Sequence, residues 1–398
     1  MGLFERLFGK KRRKPKLPKV DIQKRFDLIF QLGPGSMSKV WKARDRKTGM
    51  LVALKILDKE KTAKLEARFR GLNRPSEGEV AVQLHHPNIV KTYEFGLTRQ
   101  GEQFLVMEFI EGVSLSYLVE VQNEQMQKFR LDYMIQLGEA VAYLHENKWI
   151  HRDICPRNVL VNRENQVKLI DFGLVVPNRE EFRRPGNRTG TVNYMAPELI
   201  KRQWTDHRID IFSYAVTCYE MCSGHLPWEA VETLEMVLRR INQPPRPLHE
   251  VVPDVDPRLE EIIMKGLAIN PDQRWQTAAE MTAALRTLKE QLQQSPQGAQ
   301  KVSASKSSSA SKRPSLDAQK SKPEEPKELK KPNKSNKRQE QSEPSTSEAA
   351  KKANKQIAAQ HDSDRATEGK TTKGKHDPTG QKPASKKDKP RPPDKGSS

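Results

Sequence analysis

Residues 151–158 read HRDICPRN, and thirteen residues after Asn158 comes the triplet Asp171-Phe172-Gly173. Two short apolar runs, NVLV and QVKLI, lie in this region, and Asp171 closes the second. A carboxylate at the end of an apolar strand is the kind of oxygen donor that hard divalent cations take, and Asp153 and the Asn158 amide stand close by in sequence. Two acids and an amide at this spacing, with His-Arg in front, have a very low chance rate. Toward the N-terminus, Lys55 sits in the middle of LVALKILD, flanked by Ala53, Leu54 and Ile56. A lysine inside such a strand has little use for solvent. Upstream of it, residues 32–40 read LGPGSMSKV. Gly33 and Gly35 in a strand–turn–strand let backbone N–H groups approach phosphates with no Cβ in the way.

The texture around these points is that of two lobes. From Phe26, the runs FDLIFQL, SKVWKARD and LVALKILD read as strands, with RKTG as the turn between the last two. A charged helical stretch then runs to about Leu84, and VKTYEFGL and EQFLVMEF flank the turn TRQG. Beyond Gly112 the period changes: Leu131, Met134, Leu137, Val141 and Leu144 recur at three or four. Further helices are predicted near 208–223, 257–267 and 276–290. The fold class is α+β, a small β-rich lobe with one helix (26–108) followed by a larger α-rich lobe (112–288). Residues 291–398 contain no Phe, Trp or Tyr and five large aliphatics. That is too little apolar surface to offset the entropy of ordering them, so a disordered tail is predicted.

The order of these motifs resembles that of the eukaryotic-type protein kinase family over about 260 residues, and the resemblance implies its bilobal fold, ATP and Mg²⁺. It implies that Lys55 holds the α- and β-phosphates and pairs with a helix glutamate. The family interval back from LHHPNIV selects Glu77, while Ser76-x-x-Glu79 reads as a capping box that makes Glu79 the rival. In EQFLVMEFIEG, Met107 is implied as gatekeeper, and the Glu108 carbonyl and Ile110 N–H as adenine contacts. Leu32, Gly33, Gly35, Val40, Ala53 and Leu160 complete the nucleotide site. Asp153 is implied as the base for the attacking hydroxyl, and Asn158 and Asp171 as Mg²⁺ ligands. Gly190-Thr191, in the segment that ends at Ala196-Pro197-Glu198, is the mark of the serine/threonine branch. Glu198 with Arg274, and Asp210 beneath the catalytic loop, are implied as structural.

Two positions depart from the family pattern. Its third glycine is Ser38 here, and the lysine usual two residues after the catalytic aspartate is Cys155. A thiol cannot replace a cation, and Arg157 stands where some tyrosine kinases carry a compensating arginine. Active serine/threonine phosphotransfer with Arg157 as substitute cation is therefore expected, the alternative being a nucleotide-binding pseudokinase or scaffold. Cys155 is either an inert small side chain or a thiol activated by Arg152 and Arg157. Thr189 is the one hydroxyl residue between Phe172 and Thr191, and so the candidate for regulatory phosphorylation.

Charge is concentrated at the ends. Of the net +20, residues 1–20 carry +7 and residues 291–398 carry +12, leaving +1 for the middle. Specific nucleic-acid binding by the folded part is not expected. In residues 1–25, a basic and amphipathic arm, Leu3, Phe4, Leu7 and Phe8 share one helical face ahead of seven basic residues in 10–19. Peripheral contact of residues 1–19 with an anionic membrane, a solvated arm and a polyanion-binding patch are the three readings. The three cysteines, without paired spacing, point to a reducing, cytoplasmic compartment. Protein substrates are the implied partners besides ATP.

Overall fold

The computed structural model describes residues 19–34, 37–186 and 189–294. The expectations for residues 1–18, for Gly35 and for the tail beyond 294 lie outside the described residues.

The first lobe is built on a six-stranded sheet. Its strands are β1 (Lys19–Val20), β2 (Phe26–Pro34), β3 (Ser38–Asp45), β4 (Leu51–Leu57), β5 (Thr92–Thr98) and β6 (Gln103–Glu108), in the order β1-β5-β6-β4-β3-β2. The pairings are antiparallel except that of β1 with β5. Because side chains alternate across a strand, the sheet has two apolar faces. One is a separate small core of Phe26, Ala43, Val52, Leu54, Phe104 and Val106, against which Val20, Ile22, Trp41 and Ile56 pack. The other face joins the main core through Leu57 and Leu105.

Residues 19–25, assigned from sequence to the N-terminal arm, are instead part of this lobe. β1 adds an edge strand, and α1 (Ile22–Arg25) turns the chain under Asp21, whose side chain caps Lys24. Arg25 then grips two acids from different strands. Its guanidinium lies 2.9 Å from Asp45 Oδ2 and 2.7 Å from Glu94 Oε2, and Asp45 is 2% exposed. The sequence signal was weak because two residues of strand and one turn of helix carry no period.

The one helix expected between β4 and β5 is two. α2 (Lys59–Ala67) is capped by Asp58 and ends before Gly71, which adopts φ +86°. Pro75 has no N–H to donate, and the chain restarts only at Ser76, the cap of α3 (Glu77–Ala81). Both halves of the capping box with Glu79 are present.

The second lobe is helical. After β7 (Gly112–Ser114) come α4 (Leu115–Val121) and the 23-residue α5 (Glu124–Glu146). Short strands follow: β8 (Trp149–Ile150), β9 (Val159–Asn162), β10 (Val167–Leu169) and β11 (Val176–Pro177). They pair as β10-β9-β7 and β11-β8, and the loop from 151 to 158 hangs between β8 and β9. Then come α6 (Glu180–Arg183), α7 (Pro197–Ile200), α8 (Arg208–Ser223), α9 (Leu234–Asn242), α10 (Pro257–Gly266) and α11 (Ala278–Gln294). α8 is buried from Ile209 to Cys222, which is why its sequence shows no amphipathic period. Cys218 and Cys222 lie inside this helix as core.

Arg25→Ala strips the buried Asp45 carboxylate of its counter-charge and leaves it the Lys47 N–H at 2.9 Å. A loss of about 3 kcal/mol is expected, read as a lower unfolding midpoint in urea at pH 7.

Candidate active site

The site is organised around a buried charge. Lys55 is 5% exposed, and β4 holds it at the strand centre opposite Val40 of β3 and Leu105 of β6. Its Nζ lies 2.6 Å from Glu77 Oε1 and 3.0 Å from Asp171 Oδ1. Burial disfavours the ammonium, but the charges of Asp171 and Glu77 outweigh it and raise the lysine well above its ordinary range. The choice between Glu77 and Glu79 is thereby settled by division of labour. Glu79 closes the cap on Ser76, which aims the next residue, Glu77, at the sheet.

Asp171 keeps its side chain 45% exposed, so it faces both Lys55 and open space. Burial pushes its carboxyl up, and the Lys55 charge with the Gly173 N–H (3.0 Å) brings it below its usual value. A Cβ on Gly173 would meet Asp171 Oδ1 at 3.1 Å and Glu77 Oε2 at 3.3 Å, so both carboxylates would have to give by a few tenths of an ångström.

Across from this pair, the catalytic loop is fixed from below. Asp210, at the start of α8 and fully buried, accepts the backbone N–H groups of His151 (2.7 Å) and Arg152 (2.8 Å) and a bond from His145 Nε2 (3.0 Å). Asp153 Oδ2 accepts the Asn158 amide at 3.0 Å, and Oδ1 accepts both the N–H and the hydroxyl of Thr191 at 2.8 Å. With its nitrogen committed to Asp153, Asn158 has its amide oxygen as the donor for a cation. Asp171 offers carboxylate oxygen, so the two make an oxygen set suited to Mg²⁺. Thr191 entered the sequence reading only as a branch marker; its grip on Asp153 needed the fold. That grip depends on Gly190, at φ +133°, where a Cβ would lie 2.6 Å from the Arg152 carbonyl.

Of the other residues expected at the nucleotide site, Val40 of β3 lies in register with Lys55. Ala53 pairs in register with Met107, and Leu160 comes from β9 below. Leu32 is exposed near the end of β2, and of Gly33 only the backbone strand is described. The Glu108 side chain accepts from the Lys91 N–H (2.8 Å) and Lys168 Nζ (2.9 Å), tying the hinge to the second lobe. The Ile110 N–H, outside any strand, makes no hydrogen bond with the described residues, as an edge-on contact for a base requires.

Cys155 is 1% exposed, and burial pushes its thiol up to about 12. Of the two readings of Cys155, the inert small side chain fits this burial; the Arg157 charge acts in the opposite sense but is outweighed. Arg157 itself is exposed, with no ion partner among the described residues, and its charge reaches Glu220 and Tyr194. Tyr194 donates to Glu220 Oε2 at 2.6 Å, and burial raises Glu220 to about 7. The predicted Glu198–Arg274 bridge is present and buried, at 2.7 and 2.8 Å.

Because the Cys155 value is raised from 9.0 to about 12, its stabilising share is complete below pH 9 and lost as pH climbs through 12. At pH 8 the folded protein should take up no iodoacetamide, and mass spectrometry of the urea-unfolded chain should show all three cysteines modified.

Comparison with known proteins agrees with this geometry. A family model described as Protein kinase domain matches residues 26–286. A probable serine/threonine-protein kinase of Clostridium perfringens is 30% identical over 271 residues, covering 67% of this chain and 38% of that protein. Serine/threonine-protein kinase PknB of Mycolicibacterium smegmatis is 31% identical over 272 residues, 66% of this chain and 43% of that one. PrkC of Bacillus subtilis, also a serine/threonine-protein kinase, is 29% identical over 269 residues, 67% and 41%. The matched region thus spans about two fifths of the length of these relatives. By its strand-rich first lobe, its helical second lobe and this match over most of the described residues, the chain belongs to the protein kinase domain family.

Proposed function

We propose that the protein is a serine/threonine kinase that transfers the γ-phosphate of ATP to protein hydroxyls. The observation that carries this reading is the Lys55 ammonium held between Glu77 and Asp171 while Asp153 is bound to Thr191. In this reading Lys55 steadies the α- and β-phosphates, and Asp153 takes the proton of the attacking hydroxyl. The hydroxyl oxygen bonds to the γ-phosphorus as the bond to the β-phosphate oxygen breaks. Leu32, Gly33, Gly35, Val40, Ala53 and Leu160 enclose the nucleotide, with the Glu108 carbonyl and Ile110 N–H at the adenine edge. Asn158 and Asp171 would hold Mg²⁺, whose chemistry is to neutralise phosphate charge. Arg157 supplies the cation that buried Cys155 cannot.

Residues 1–19 are proposed to touch the cytoplasmic face of an anionic membrane. Their apolar face and basic cluster support this. The three unpaired thiols support a reducing compartment.

With radiolabelled ATP and the full chain, Asp153→Asn and Asp171→Ala should each lower phosphate incorporation by about a thousandfold, and Arg157→Ala by about a hundredfold. Equal incorporation in wild type and the two aspartate variants would end the kinase reading. In sedimentation with vesicles containing phosphatidylserine, the full chain should pellet and a chain lacking residues 1–18 should not; neutral vesicles should retain neither.

A further inference from the structure

The segment from Gly173 to Gly190 connects the metal-site aspartate to the Thr191 that holds Asp153. Its sequence offers one hydroxyl, Thr189, to a regulatory phosphate. In the structure that residue is 4% exposed, with its Oγ1 buried and without a hydrogen-bond partner among the described residues. A phosphate there would bring a dianion into a place that now holds a closed-off hydroxyl.

From Gly173 to Arg183 the segment is nevertheless tied down, and by permanent groups. The Arg74 guanidinium donates from Nε to the Val175 carbonyl at 3.1 Å and from Nη2 to the Gly173 carbonyl. The same guanidinium lies 4.8 Å from the centre of the Phe69 ring. Phe69 in turn meets Phe182 of α6, ring centres 6.4 Å apart, both rings buried. Beyond these, β11 pairs with β8, Asn178 N–H bonds the Lys148 carbonyl at 2.7 Å, and the Arg183 carbonyl accepts from Thr205 N–H at 3.0 Å. Phe69 and Arg74 both belong to the stretch between α2 and α3, which leads into the cap of the helix that carries Glu77. One loop therefore holds the ion-pair helix and the segment together.

We propose, building on the kinase reading, that Arg74 and Phe69 are positioning residues that assemble this segment without a phosphate, so that turnover does not require its phosphorylation. The rival is that Arg74, whose charge adds to the burial that depresses the neighbouring Arg152, waits for a phosphate to pair with. Against that, two donors of Arg74 are already spent on carbonyls. A fork that bridges two carbonyls is a property of arginine that lysine lacks, whereas attraction to a phosphate is shared by both. The substitution Arg74→Lys therefore separates the two.

The test uses the full chain co-expressed with a protein phosphatase, its unphosphorylated mass verified, with myelin basic protein as acceptor. The progress curve should be linear from the start. Pre-incubation with Mg-ATP, or the isosteric Thr189→Val, should change the rate by less than about twofold, while Arg74→Ala and Arg74→Lys should both lower kcat by about tenfold. In both variants the amides of residues 173–183 should lose hydrogen-exchange protection that the unphosphorylated wild type has. A lag abolished by pre-incubation, with one phosphate gained on Thr189, would overturn the proposal, as would near-normal rates in Arg74→Lys. If no preparation turns over, the kinase reading itself falls. Hydrogen exchange then still decides the clamp: equal protection in wild type and Arg74→Ala would refute it.

Discussion

A single buried ammonium sets the terms for the rest of this protein. Taking Lys55 out of water costs several kcal/mol, and the cost is met only because two carboxylates arrive within hydrogen-bonding distance. They come from opposite sides: Glu77 from a five-residue helix of the first lobe, Asp171 from the end of β10 in the second. The two lobes are thus joined at the site by charge, and whatever displaces α3 or the residues after β10 leaves an unpaired charge in the interior.

The second lobe answers this with rigidity. Asp210 sits in a helix buried along nearly its whole length and takes two consecutive backbone N–H groups of the catalytic loop. Asp153 therefore follows two residues that are anchored on a helix buried from Ile209 to Cys222. Its carboxylate is oriented from above by Thr191 and from the side by Asn158, both at ordinary hydrogen-bond lengths. The place where a lysine would be expected has become core: Cys155 belongs to the main core, as do Ile154 and Val159. Losing the cation there costs the loop no stability, since a small apolar side chain suits a buried position better than an ammonium does.

Much of this was readable along the chain, for a definite reason. Asp153, Asn158 and Asp171 stand at short offsets within strand and loop signals, Lys55 stands in the middle of a strand far upstream, and their chemistry is unusual for such positions. The buried bridge of Glu198 with Arg274 and the core placement of Cys218 and Cys222 were also legible, through spacing and apolar context. The interval back from LHHPNIV selected Glu77 in sequence, but the capping-box pattern kept Glu79, two positions on, as a rival. Only the helix start, with Glu79 folded back on Ser76, assigns each its partner.

What the sequence by itself determined is the family and the two-lobe order, because these rest on local patterns of a few residues. Contacts between distant segments were decided by the tertiary structure alone. Arg25 joins Asp45 and Glu94, which lie 20 and 69 positions away, and makes residues 19–25 part of the sheet. Arg74 reaches carbonyls about a hundred positions on. Such bonds use single arginines and main-chain oxygens, which every sequence has in abundance. Their meaning appears only when folding brings the donor and acceptor together and removes the water that would otherwise serve both.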